Sequence, residues 1–160
     1  MLSAIVPVLF FDYRPAHLHL SNMREGALDL AALPFATNSL ASLSCMHVVE
    51  HVGLGRYGDP LDPKGDLTAM SELQRVVAPG GNLYFVVPVG KPKILFNAHR
   101  IYSFEQVTEF FGELELRDFA LVPDDGEKAG LIQGATAEQS GKQNYGCGCF
   151  WFQRPLSKPR

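Results

Sequence analysis

The 160-residue chain has no excess of positive charge: 14 Lys and Arg stand against 17 Asp and Glu, for a formal net charge of -3. Proteins that hold nucleic acid usually carry a basic face, and here the basic residues are scattered, so nucleic acid is not an expected partner. Cysteine is scarce. The three present, Cys45, Cys147 and Cys149, make an odd number, which argues against a disulfide framework and for a reducing, cytoplasmic setting. No apolar run approaches the roughly 20 residues that span a bilayer. The apolar N-terminal stretch MLSAIVPVLFF has no Lys or Arg ahead of it and no small-residue cleavage site before Asp12. Neither a membrane span nor a secretory signal is expected. Internal repeats and low-complexity segments are also missing. What remains is 46% apolar and 19% charged, the composition of one soluble globular domain with a real core.

Periodicity divides the chain into alternating strands and helices. PVLFFD, Pro7 to Asp12, is a short apolar run ending in an acid, as a buried parallel strand would. A polar stretch follows, then a turn-like passage from Ala27 to Leu33. Ser39 to Met46 is a second strand candidate, and VVEHV continues it or opens a helix. Residues 53–63 form a loop dense in Gly, Pro and Asp. Asp66 is an N-cap candidate for a helix with Leu67, Met70, Leu73, Val76 and Val77 at helical spacing. Pro79-Gly80-Gly81 stops it. NLYFVVPV, Asn82 to Val89, is the strongest strand signal. Ser103 caps a further amphipathic helix with Val107, Phe110 and Phe111 on its buried stripe. Glu115 to Val122 and Gly146 to Phe152 read as closing strands. This order indicates an α/β domain with a mostly parallel sheet.

Two strings carry a resemblance. DLAALPFATNSLASLSCMHVVEHV resembles the passage between the third and fourth strands of class I S-adenosylmethionine-dependent methyltransferases, with an LPF-type turn and a VLEHV-like strand end. ELQRVVAPGGNLYFVVPV resembles the next helix, PGG turn and fifth strand of that superfamily. Together they cover about fifty residues in the right order. HVVEHVGLGRYGDP and FNAHRIYS look like an uncharacterised branch of it, a domain of unknown function. The resemblance implies one Rossmann-like methyltransferase domain over residues 1–160, a mostly parallel sheet with an antiparallel last strand. It matches the C-terminal two-thirds of the family fold, and the glycine-rich loop and first strand have no counterpart before Asp12.

The resemblance also implies roles. Asp12 corresponds to the acid that accepts hydrogen bonds from the cofactor's ribose, a task suited to a carboxylate because it offers only acceptors to a diol. Asp29 stands where the family faces the adenine amino group, with Leu30 covering the ring. The alternatives are a solvent-facing strand-end Asp and a turn Asp. Cys45, Met46 and His47 would line the cleft at the strand ends. Methyl transfer from a sulfonium is an in-line displacement, so most of the catalysis lies in positioning. A base is needed only for an acceptor that must lose a proton, and His51 and His99 are the imidazoles available for it. Asn97, Arg100 and, from the loop, Arg56 are the candidate contacts for a small polar, anionic or carbohydrate-like acceptor; Arg100 paired to a nearby acid is the alternative.

Three motifs compete with this reading. GLGRYG, Gly53 to Gly58, formally matches a dinucleotide-binding loop, but DPLDPKG follows, and its prolines prevent the required helix. A loop over the substrate pocket, or a plain exposed loop, is the better expectation. HVVEH, His47 to His51, matches a zinc peptidase pattern with Glu50 as base. The strand run before His47 and the want of a third ligand leave a zinc hydrolase a distant alternative, and no metal is expected. Cys147 and Cys149 alternate on a strand and face one side, which reads as packing. The expected function is therefore methyl transfer to a small polar acceptor using S-adenosylmethionine. The competing expectation is an inactive methyltransferase-like binding module. If Met1 is a genuine start, a second copy covering an exposed sheet edge follows.

Overall fold

A computed structural model describes residues 2–15, 17–125 and 130–156. β1 (Val8–Asp12) pairs in parallel with β2 (Met23–Ala27) as a separate two-stranded ribbon. The main sheet has four strands: β3 (Leu40–Met46), β4 (Val77–Val89), then β8 (Gly146–Gln153) and, at its far edge, β7 (Glu115–Val122). β3 and β4 are parallel, whereas β8 is antiparallel to both β4 and β7. The last strand is thus inserted backwards between strands that run the same way. A small antiparallel hairpin, β5 (Lys93–Leu95) and β6 (His99–Ile101), follows β4. Among the described residues, no helix is long and apolar enough to cross a membrane.

The core follows from two periodicities. Along β4 the alternate residues Leu83, Phe85, Val87 and Val89 are fully buried, each worth about 2 kcal/mol of apolar burial. Against them lies α1 (Gly65–Val76), whose Ala69, Met70, Leu73 and Val76 repeat every three or four residues and are buried too. α2 (Phe104–Phe110) begins at Ser103 with reciprocal hydrogen bonds to Gln106, the capping box that Ser103 foreshadowed. Phe85, Phe111 and Phe152 meet at 4.9 and 5.1 Å between ring centres, and Phe119 meets Phe150 at 4.6 Å. A short α3 (Ala137–Gly141) is capped in the same way by Thr136.

Five expectations need correction. PVLFFD is a parallel strand, but a largely exposed one rather than a buried one, because it pairs only with β2 among the described strands. Met23–Ala27 is a strand although its sequence, MREGA, is mostly polar, because pairing with β1 supplies what propensity does not. VVEHV neither extends β3 nor opens an α-helix; it makes one 3-10 turn, Val49–His51. Asp66 is not the cap of α1 but lies inside its first turn, buried. The last concerns Val77 to Gly81, expected as the helix end and its stop: α1 ends at Val76, and these residues open β4. Residues 96–98 form the bend between β5 and β6, with Asn97 at φ +49°.

Candidate functional site

β3 ends at Met46, and His47 turns left-handed (φ +54°), a conformation His tolerates better than branched residues. The chain is thereby bent across the end of the sheet into the 3-10 turn. Glu50 is buried there at 1% exposure, with His47 and His51 to either side. His47 Nδ1 lies 3.0 Å and His51 Nε2 3.8 Å from the same Glu50 oxygen. Burial pushes the Glu50 carboxyl above its usual range, and its own backbone amide and the two imidazoles only partly offset this.

His51 Nδ1 donates to the Ala98 carbonyl at 2.5 Å. A carbonyl only accepts, so in the neutral ring the free lone pair is on Nε2. The hairpin that supplies Ala98 also brings His99, whose ring stands 6.3 Å from His51 and 5.0 Å from Tyr145. Burial, then the nearby charges of His51, Arg56 and Lys93, lower the His99 pKa. It is therefore unprotonated at neutral pH, the state a base requires. Arg56 reaches the same carbonyl of Ala98 from the loop at 3.4 Å.

What fixes the hairpin is a buried polar tie. Arg100 Nε lies 3.3 Å from Asp66 Oδ2, its Nη1 donates to the Val52 carbonyl at 2.6 Å, and the Tyr102 hydroxyl donates to Asp66 at 3.0 Å. Arg100 is 4% exposed, so the structure holds it in the ion pair with an acid rather than on an open surface. Losing one partner of such a pair costs about 3–5 kcal/mol.

The loop at residues 53–63 is organised round Asp59. Its carboxylate accepts from the amides of Gly53 (2.8 Å), Tyr57 (3.1 Å) and Gly55 (3.3 Å). Burial pushes its pKa up, and these amides more than reverse that, leaving it below the ordinary value. The glycine amides that a pyrophosphate would need are thus occupied by the protein's own acid. In HVVEH the second ring nitrogens go to protein partners, His51 Nδ1 to the Ala98 carbonyl and His47 Nε2 to Cys147 Sγ.

Asp12 closes β1, opposite Ala27 of β2. Asp29 follows two residues after that partner, which sets both acids at the same end of the ribbon. Each is exposed and accepts one backbone amide, from Arg14 and Ala31, both at 2.8 Å. Leu30 packs on the core and Met46 is 57% exposed at the strand end. Arg14 stacks over Tyr57 at 4.6 Å, and Tyr57 meets the edge of His51 at 5.4 Å. Contacts therefore run from the Asp12 turn through Tyr57 to His51, Arg56 and His99. Asn97, exposed at the hairpin bend, lies one residue from Ala98. Arg100 is turned into the buried pair with Asp66, and Cys147 and Cys149 are half-buried on β8, where Cys147 meets His47. Sequence reasoning missed the thiols' surroundings, because Cys147 meets His47 across a hundred residues of chain.

A family model described as a Caenorhabditis protein of unknown function, DUF268, matches residues 22–139. The chain belongs to the DUF268 family. No curated protein matches this DUF268 chain in sequence at a significant level. Solved structures do match in shape. The N-methyltransferase NodS from Bradyrhizobium japonicum, in complex with S-adenosylhomocysteine, is 18% identical with a TM-score of 0.57, covering 92% of this chain and 66% of that one. A Burkholderia thailandensis 1,6-didemethyltoxoflavin N1-methyltransferase is 11% identical with a TM-score of 0.56, over 84% and 52%. The [4+2]-cyclase SpnF is 16% identical with a TM-score of 0.55, over 85% and 57%. The DUF268 chain thus spans about half to two thirds of these proteins. The likenesses show the fold, Rossmann-like and of the methyltransferase type.

Proposed function

We propose that this DUF268 chain is an S-adenosylmethionine-dependent methyltransferase domain acting on a small polar acceptor. The observation that carries the reading is the run of contacts from Asp12 through Arg14 and Tyr57 to His51 and His99. That run joins a carboxylate suited to a ribose diol to two imidazoles suited to a proton-losing acceptor.

The donor set suits the nucleoside end of the cofactor. Asp12 and Asp29 each spend one oxygen on a backbone amide. The second oxygen of Asp12 is available to a ribose diol, and that of Asp29 to an adenine amine. Leu30, beside Asp29, offers apolar cover for the base. When bound, S-adenosylmethionine supplies a methyl group on a sulfonium. The chain's own residues do the remainder. Arg56 and Asn97 orient a polar acceptor near the Ala98 carbonyl. His51, held by that carbonyl through Nδ1, takes the acceptor's proton on Nε2. His99 stays neutral beside it because of burial and the surrounding positive charge. Positioning supplies most of the acceleration.

The cyclase among the structural neighbours means that binding and turnover are tested separately. Calorimetric titration of this DUF268 chain with S-adenosylhomocysteine is expected to give saturable binding, weakened about tenfold in Asp29→Ala, the loss of one hydrogen bond to a polar partner. An absence of heat in the folded chain refutes the reading.

A further inference from the structure

One constellation has no part in the proposed methyl transfer. His47 presents Nδ1 to the Glu50 carboxylate at 3.0 Å, and its opposite nitrogen, Nε2, faces Cys147 Sγ at 3.4 Å. Carboxylate, imidazole and thiol stand in series. Cys149, two residues along β8, faces the same side of the strand as Cys147. Both sulfurs are half-buried, and the His47 side chain is 47% exposed, so small molecules reach the group. The cross-strand neighbours of the two cysteines are Val86, Pro88, Ala120 and Val122, none of which titrates. The ionisable groups facing the pair are therefore His47 and Glu50, with His51 behind Glu50.

We propose that Cys147 and Cys149 form a reactive dithiol, primed by His47 and Glu50, that attacks small-molecule disulfides. Glu50, itself buried, fixes the ring so that Nε2 meets sulfur. The neighbouring Cys147 first, and His47 with it, outweigh burial and bring the Cys149 thiol down to about 7. Cys147 holds its proton correspondingly harder. The pair thus shares one negative charge at neutral pH, where an ordinary thiol is mostly protonated. In the reaction the Cys149 sulfur attacks one sulfur of R–S–S–R. A Cys149–S–S–R bond forms, the original S–S bond breaks, and RS⁻ leaves with the electron pair. The chain's thiolate is oxidised and one half of the reagent is reduced. Cys45 takes no part, since burial first and Glu50 second push its thiol up to about 12.

The test is stopped-flow reaction of the folded chain with Ellman's reagent, an aromatic disulfide, across pH. The expected rate has a midpoint near 7. At pH 6 it exceeds that of the urea-unfolded chain roughly fivefold, the gain in thiolate fraction being partly offset by its lower nucleophilicity. The fast phase disappears in Cys149→Ser. In His47→Asn, which keeps a residue suited to the left-handed backbone, the midpoint moves toward the ordinary thiol value of about 8.5. His47→Gly, which also accepts the left-handed backbone, gives the same shift if the Asn variant fails to fold. A folded rate at pH 6 no greater than the unfolded one, or an unmoved midpoint in either folded variant, overturns the proposal. Neither result depends on cofactor binding.

Discussion

Gly53 sits at φ +79°, and a Cβ built there would lie 2.1 Å from the Asp62 carbonyl oxygen, which its own amide helps to position. Gly58, in the same loop and also left-handed at φ +85°, has open space around it. The two separate backbone strain from steric exclusion. Gly58→Ala is expected to cost about 1 kcal/mol, the left-handed penalty alone. Gly53→Ala is expected to cost about 3 kcal/mol, since strain and overpacking add. Urea midpoints of the two variants measure the difference, and equal midpoints would remove the packing argument. The sequence already excluded a dinucleotide loop here through the prolines that follow. It gave no sign that Asp59 gathers the loop's amides, because a carboxylate six residues from Gly53 looks like any surface acid until the turn is folded. His51 and His99 were legible as candidate bases. That a hydrogen bond to Ala98 fixes the His51 tautomer was not, since it joins residues 47 apart.

Elements with strong local signals came through intact. The capping box at Ser103 and the strand Glu115–Val122 are where turn chemistry and periodicity place them, and Asn82 to Val89 is a strand that begins five residues earlier than expected, at Val77. The failures were elements that exist only by pairing. Met23–Ala27 has no alternation to read, and it is a strand because β1 lies beside it. A two-stranded parallel ribbon is intrinsically weak, its slanted hydrogen bonds being less stable than antiparallel ones. Leu9 and Phe10 on β1 remain exposed, and β1 has no second neighbour among the described strands. β4, by contrast, is flanked by β3 and β8 and carries a fully buried face. Amides of Leu9 to Asp12 are therefore expected to exchange with solvent at least about 100-fold faster than those of Leu83 to Val87, because the ribbon opens locally. Equal protection, measured by hydrogen exchange with fragment analysis, would mean that the ribbon and sheet open as one unit.

At the scale of the whole molecule, the two halves of the candidate site belong to regions of unequal stability. Asp12 and Asp29 lie at the ribbon, whereas His51 and His99 lie against the main sheet and the buried Arg100–Asp66 pair. A ligand that spans them must pay the ordering of the weaker part. S-adenosylhomocysteine at a hundredfold excess over its Kd is expected to add about 2.7 kcal/mol, or roughly 5–10 °C in Tm for a chain of this size. It should also slow exchange in β1. A rise in Tm without slower exchange at the ribbon would move the nucleoside site away from Asp12. The overall α/β order was legible because most of its longer strands and helices announce themselves locally. The thiol–imidazole contact and the packing of the hairpin were not, since both arise only when distant strands meet.

The insertion of β8 between β4 and β7 also sets a timetable for synthesis. β7 touches the main sheet only through β8, so it emerges from the ribosome with no edge to join. β4 is complete at Val89, yet its partner along one whole side ends at Gln153. At translation rates of about 5–20 residues per second, that interval lasts several seconds. During it the nascent chain exposes an open β4 edge and the unpaired strand β7. This is the period in which a chaperone, rather than β8, has to shield them.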